Sequence, residues 1–225
     1  MMGHSHALSG VVTGLALGSL VLHERPAPLL LLAGLTAAYA LAPDLDGCHS
    51  TEARSFGFVT EILAWCVEKI SGGHRHGTHS LVGIAAFTAV AWLGCLFRHA
   101  IPGRVVLFVI LAAGFASAMD ALRIGGHAGS VLALAGSAAM CWTCYGLALV
   151  PLAAATGTAT HIIGDCLTRS GCPLLWPATM REFHLTPRPL RFTTGKLAEH
   201  VIVTPLLVAA LVVLAWHDTG SIGAP

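Results

Sequence analysis

A chain of 225 residues with 55% hydrophobic residues, only 10% charged residues and a mean hydropathy of +0.76 is far more apolar than a soluble domain, where roughly a quarter of residues are charged. The formal net charge is +1, and the basic residues form neither a dense run nor an aromatic-interleaved stripe, which excludes a nucleic-acid-binding class. The seven cysteines (Cys48, Cys66, Cys95, Cys141, Cys144, Cys166 and Cys172) sit mostly in or beside apolar segments and lack the spacing of a secreted disulfide framework.

Residues 1–10 carry no Lys or Arg ahead of the first apolar run, unlike a secretory signal peptide, so the first helix is read as retained. Apolar runs follow at about 7–22, 28–41, 80–97, 104–121, 130–142, 147–167 and 199–216. Several are apolar all round, the pattern of lipid-facing or deeply buried helices, although some fall short of the ~20 residues a spanning helix needs. The fold class expected is all-α: a polytopic transmembrane helix bundle of about five to seven membrane segments, forming one domain over residues 1–225. A continuous helix over 130–165 would be about 54 Å long, against a hydrocarbon core of roughly 30 Å. The chain is therefore expected to break near 142–146, where Gly146 relaxes the backbone. The C-x-x-C of Cys141 and Cys144 falls in this apolar stretch and reads as two packing thiols. Glu61, Trp65 and Glu68 suit an amphipathic helix lying on the membrane surface. Residues 166–198, rich in Pro, Arg and Thr, read as a loop-rich cover with short helical turns.

Threading these segments through a bilayer brings distant polar residues to one side. His4 and His6 precede the first helix, Asp44 and Asp46 follow the second, residues 74–79 precede the third, and His161 and Asp165 end the sixth. Neutral imidazole is the commonest metal ligand near pH 7, and carboxylates supply anionic oxygen beside it. His161 and Asp165 are four apart, hence stacked on one helix face. Asp44 and Asp46 diverge on a helix but converge in a turn that Gly47 permits; one could ligate while the other orients or acts as base, and a solvated helix end explains the same letters. In His74-Arg75-His76-Gly77-Thr78-His79-Ser80, Ser80 or Thr78 is the expected N-cap, His79 lies near the helix start and His74 arrives from the loop. Arg75 suits a phosphate or carboxylate of a substrate, or a clamp on an Asp. His6 completes the set.

These blocks resemble the LexA-regulated, membrane-bound, metal-dependent hydrolase family (YdjM-like). The resemblance rests on His6 before a small-residue helix, P-D-L-D at 43–46, H-R-x-x-T-H-S at 74–80, and the run from His161 through Asp165 to Pro177. His76 stands where that family commonly has Gly, and the stretch over about 102–142 is longer than its shorter members need, like an inserted helical hairpin. The resemblance implies a membrane-bound metal-dependent hydrolase with His6, Asp44, Asp46, His74, His79, His161 and Asp165 as metal ligands or catalytic groups. Asp44, Asp46, Arg75 and His79 are the catalytic candidates. A divalent metal is expected, zinc favoured by the His content, as one or two ions, because seven candidate ligands exceed the three that a single catalytic zinc needs. The chemistry expected is a metal-activated water attacking a phosphoester or ester, with a lipid or lipid-linked substrate met at headgroup level. The rival class is a membrane protein that binds or transports a metal ion without catalysis; ligands gathered at one end of the helices, away from the bilayer midplane, speak against it.

Arg54, Lys69, Arg75, Arg123, Arg169, Arg181, Arg188, Arg191 and Lys196 fall on the site side, and only Arg25, Arg98 and Arg104 opposite. This asymmetry predicts an N-terminus and site face in the cytoplasm, and the resemblance implies a multi-pass protein of a bacterial inner membrane. Seven crossings then put Pro225 outside, so a reporter fused after it is expected to be active in the periplasm. Activity confined to the cytoplasm would reverse the assignment.

Overall fold

The apolar runs become helices in the computed structural model, which describes residues 1–22, 26–47, 50, 53, 56–124 and 126–222; Arg25, Cys48 and Arg54 lie outside the described residues. In chain order they are α1 (Gly3–Val21), α2 (Pro26–Tyr39), α3 (Phe58–Ser71), α4 (Leu81–Leu96), α5 (Ile101–Ala121), α6 (Gly126–Thr143), α7 (Val150–Cys166) and α8 (Thr204–Ile222). Short 3-10 turns at Ala42–Asp46, Gly77–His79, Leu147–Leu149 and Arg188–Leu190 punctuate them, and a π turn at Glu199–Val203 leads into α8.

Local chemistry explains where the helices start and stop. The Ser80 hydroxyl accepts from the Gly83 N–H at 3.2 Å and caps α4, meeting one of the four donors that a helix start leaves unpaired. Pro occupies the first turn of α5 and of α7, where its missing N–H costs nothing. The break expected inside the long apolar stretch occurs. α6 stops at Thr143, Cys144 and Gly146 take positive φ, and a 3-10 turn redirects the chain into α7.

Among the described residues, four segments are long and apolar enough to cross a membrane: Pro26–Asp46, Ile101–Ala121, Leu147–Cys166 and Glu199–His217. α4 is apolar but has 16 residues, and α1 and α6 are diluted by Gly and Ser. With these three, the bundle has the seven apolar helices that the sequence outlines. α5 and α6 form a hairpin, and α5 also packs on α2 and α4, placing Leu107 and Leu111 in the main core beside Leu32, Leu35 and Val150. The thiols of Cys141 and Cys144 are free and pack into this same cluster.

α2 is the axis of the bundle, flanked by α1 and α7. The approach is at backbone distance. A Cβ on Gly14 would lie 2.5 Å from Ala33 Cα, and one on Gly157 would lie 2.6 Å from the Thr36 carbonyl oxygen. Gly10, Gly14 and Gly18 repeat every four residues along one face of α1, the small-residue spacing that lets membrane helices touch. Close packing of these three helices carries His6, Asp44 and His161 to one end of the bundle.

Gly14→Leu is therefore expected to wedge α1 from α2 and lower stability by about 1–3 kcal/mol, the usual cost of overpacking. Thermal unfolding in detergent measures it; a transition at the wild-type temperature would mean that the contact is not tight.

Candidate metal centre

Each helix end delivers one part of the site. α1 brings His6 in its first turn, the 3-10 turn after α2 brings Asp44 and Asp46, the 3-10 turn before α4 brings His79, and the last turns of α7 bring His161 and Asp165. Two overlapping groups have one donor atom per residue within 4.8 Å of one another: His6, His161 and Asp165, and Asp44, His79 and His161. His161 belongs to both.

The ring orientations are fixed from behind. His161 Nδ1–H donates to the Ala40 carbonyl at 2.7 Å, which leaves Nε2 as the lone-pair nitrogen facing the site. His79 Nδ1 lies 3.0 Å from the Thr78 hydroxyl, which in turn donates to Asp46 Oδ2. His79 Nδ1–H can therefore donate to Thr78, again freeing Nε2. The two Nε2 atoms face each other at 3.1 Å. Two lone pairs at that separation require a proton or a cation between them. His6 stacks on His161 with centroids 3.7 Å apart, and neither of its buried ring nitrogens has a hydrogen-bond partner, although Nε2 lies 3.2 Å from Asp165 Oδ1.

The carboxylates converge on the same space. Asp44 Oδ1 is 3.4 Å from His79 Nε2 and 3.7 Å from His161 Nε2; Asp165 Oδ2 is 3.8 Å from each. Arg75 Nη2 reaches Asp165 Oδ2 at 2.9 Å, so the guanidinium clamps a carboxylate, one of the two roles its sequence position suggests. The N-terminal ammonium of Met1 donates to the other oxygen of Asp165. Burial separates the groups: the side chains of His6, His79, His161 and Asp165 are fully buried, whereas Asp44 is 18% and Arg75 27% exposed. Asp44 and Arg75 are the two that reach solvent.

Asp46 and His74 sit one step back. Asp46 is buried and receives the Arg75 backbone N–H at 2.8 Å, the Thr78 hydroxyl and His74 Nδ1 at 2.7 Å. His74 is half exposed and lies in neither donor group. His76 turns away to the Gly72 carbonyl at 2.6 Å, and His4 stacks on His200 at 5.7 Å, outside the cluster. Residues 166–198 cover this end through turns and isolated bridges, Thr168 with Phe192 and Cys172 with Phe183.

Three features escape a sequence reading. The Ala40 carbonyl and the Thr78 hydroxyl orient two imidazoles, and only Thr78 lies in a motif that could have drawn attention. Buried Glu199 accepts from the N–H groups of Met2 at 2.7 Å and Gly195 at 2.8 Å, anchoring the segment that leads into α1; a Glu at the head of an apolar run is its single sequence signal.

The fold and this cluster define a multi-pass membrane protein with a buried His/Asp centre able to hold a metal ion. The chain belongs to the YdjM inner membrane protein family, the match running over residues 1–222. No curated protein and no solved structure matches it.

Burial pushes the His79 imidazole down, but hydrogen bonds that it donates to Asp44 and Asp46, together with their negative charge, outweigh burial and hold the group up to about 9. Below that pH a cation approaching Nε2 must displace a proton. Apparent metal affinity is thus expected to rise roughly tenfold per pH unit between about pH 6 and 8, with protons released on binding. Calorimetry in buffers of different ionisation enthalpy measures the release; affinity independent of pH would show that His79 does not compete for the ion.

Proposed function

We propose that this protein is a membrane-bound metal-dependent hydrolase acting on a phosphoester or ester at the bilayer surface. The observation that carries the reading is the convergence of three imidazoles and two carboxylates from four separate helix ends on one buried space. The donor set fits a divalent cation: two carboxylates, Asp44 and Asp165, offset its charge, three neutral imidazoles complete its shell, and the buried ring nitrogens of His6 make no hydrogen bond, Nε2 lying 3.2 Å from Asp165 Oδ1. His content favours zinc, and the sharing of His161 between the two groups accommodates one or two ions. Bound there, the metal would supply Lewis acidity and lower the pKa of a coordinated water toward 7.

The chain's own residues divide the remaining work. Asp46, through Thr78, keeps His79 presenting Nε2, and His74 holds Asp46 in place. Asp44, the carboxylate that reaches solvent, accepts a proton from the entering water. Arg75 holds Asp165 and turns its remaining donors toward an oxygen of the substrate; its planar fork suits a phosphate or carboxylate. Position at the ends of the helices, away from their middles, supports hydrolysis over ion passage, and the distribution of Lys and Arg supports a cytoplasmic site face.

Protein purified without added metal is expected to carry about one or two divalent ions per chain by elemental analysis. His161→Ala and Asp165→Ala should each lower metal affinity by more than about 100-fold, beyond the 10–100-fold typical of residues that only support a ligand. Both should also lose hydrolysis of phosphoester or ester substrates. Less than about one ion per chain, unchanged by either substitution, would sink the proposal.

A further inference from the structure

We propose that the apolar cavity between α2, α3, α4 and α5 receives the hydrocarbon chain of a single lipid molecule whose phosphate-bearing head lies at the His/Asp cluster. The inference rests on the hydrolase reading and names the class of its substrate. The cavity has a volume of about 470 Å³, within the ~300–1,000 Å³ of small-molecule sites. No charged residue lines it among the described residues, and almost all of its surface is hydrocarbon.

Ile70, Val82 and Val90 line the cavity and are also 82%, 46% and 44% exposed. In a membrane protein, exposed apolar side chains on helices of this kind face acyl chains, so the cavity opens sideways into the bilayer. The lining also reaches Leu45, flanked by Asp44 and Asp46, and Thr78, flanked by His79. A hydrocarbon chain entering laterally runs to the edge of the polar cluster without meeting a buried charge. The head end is complementary to an anion, because Arg75 is part-exposed beside the cluster and uses Nη2 on Asp165, which leaves other donors of its fork for phosphate oxygens. A water-soluble substrate would make no use of an apolar space that opens toward lipid; an amphiphile uses both that space and the polar cluster beside it.

The test is photolabelling of the full chain in phosphatidylcholine nanodiscs with a long-chain monoalkyl phosphate bearing a diazirine near its chain terminus. Adducts are expected on cavity residues such as Leu63 and Phe87. Ala86→Trp, which fills the cavity from α4, should cut them at least about tenfold, equivalent to about 1.4 kcal/mol of binding. Ala209→Trp, on an exposed position of α8, should leave them unchanged. Metal content equal to wild type in Ala86→Trp establishes that the bundle is intact. Arg75→Ala should weaken labelling by the phosphate probe and spare labelling by the matching long-chain alcohol. Adducts spread evenly over the lipid-facing helices and indifferent to Ala86→Trp would overturn the proposal. Turnover is not needed for this readout. Cavity labelling by a protein that hydrolyses nothing supports the lipid site and counts against the hydrolase reading alone.

Discussion

Withdrawing carboxylates from water costs several kcal/mol per ion unless positive charge and hydrogen bonds replace the lost hydration, and that constraint shapes this end of the molecule. Asp165 is fully buried and meets the Arg75 guanidinium, the N-terminal ammonium and His6. Asp46 is equally buried and is satisfied by three donors from residues 74–78. Among the described residues of this cluster, compensation is incomplete in the space between His6, Asp44, His79, His161 and Asp165, where imidazole nitrogens face one another. A cation there would satisfy lone pairs and charge together.

The fold gives that space its rigidity. α1 and α7 touch the backbone of α2 through glycine, so the ends of the three helices cannot move independently by much, and a packed interior resists adjustments of even a methylene. The imidazoles are then locked in rotation by groups on other elements: His161 by the Ala40 carbonyl at the end of α2, and His79 by Thr78 and Asp46. Precision at the cluster thus comes from packing along the helices and from hydrogen bonds behind each ring. The cover formed by 166–198 joins the same body, since the Leu81 N–H donates to the Leu174 carbonyl at 3.0 Å and the Leu185 N–H to the Cys166 carbonyl at 3.0 Å.

Polar and apolar functions are adjacent by construction. The 3-10 turn at Ala42–Asp46 points its carboxylates into the cluster while Leu45 faces the cavity. The turn at Gly77–His79 does the same with His79 and Thr78. A 3-10 turn, with three residues per revolution, sends neighbouring side chains about a third of a circle apart. Two such turns, back to back, build a boundary between a charged site and a hydrocarbon-lined space. A regular α-helix through 42–46 would have carried Asp44 and Asp46 farther apart.

The all-helical membrane bundle, its segment boundaries and the break before α7 were legible in the sequence, because apolar length and glycine placement act locally and a bilayer allows few alternatives. The pairing of His161 with Asp165 was legible for the same reason, since four residues on a helix fix a shared face. So was the meeting of His6, Asp44, His79 and His161 at one end, which parity of crossings dictates. Tertiary structure alone decided how those residues divide the labour. Asp44 and Asp46 differ by one position, yet one faces the imidazole Nε2 atoms and the other is saturated by Arg75, Thr78 and His74. His74 and His79 belong to one motif, yet only His79 enters the buried space. Such choices depend on side-chain direction in short turns and on contacts between residues far apart in the chain, and neither is encoded in periodicity.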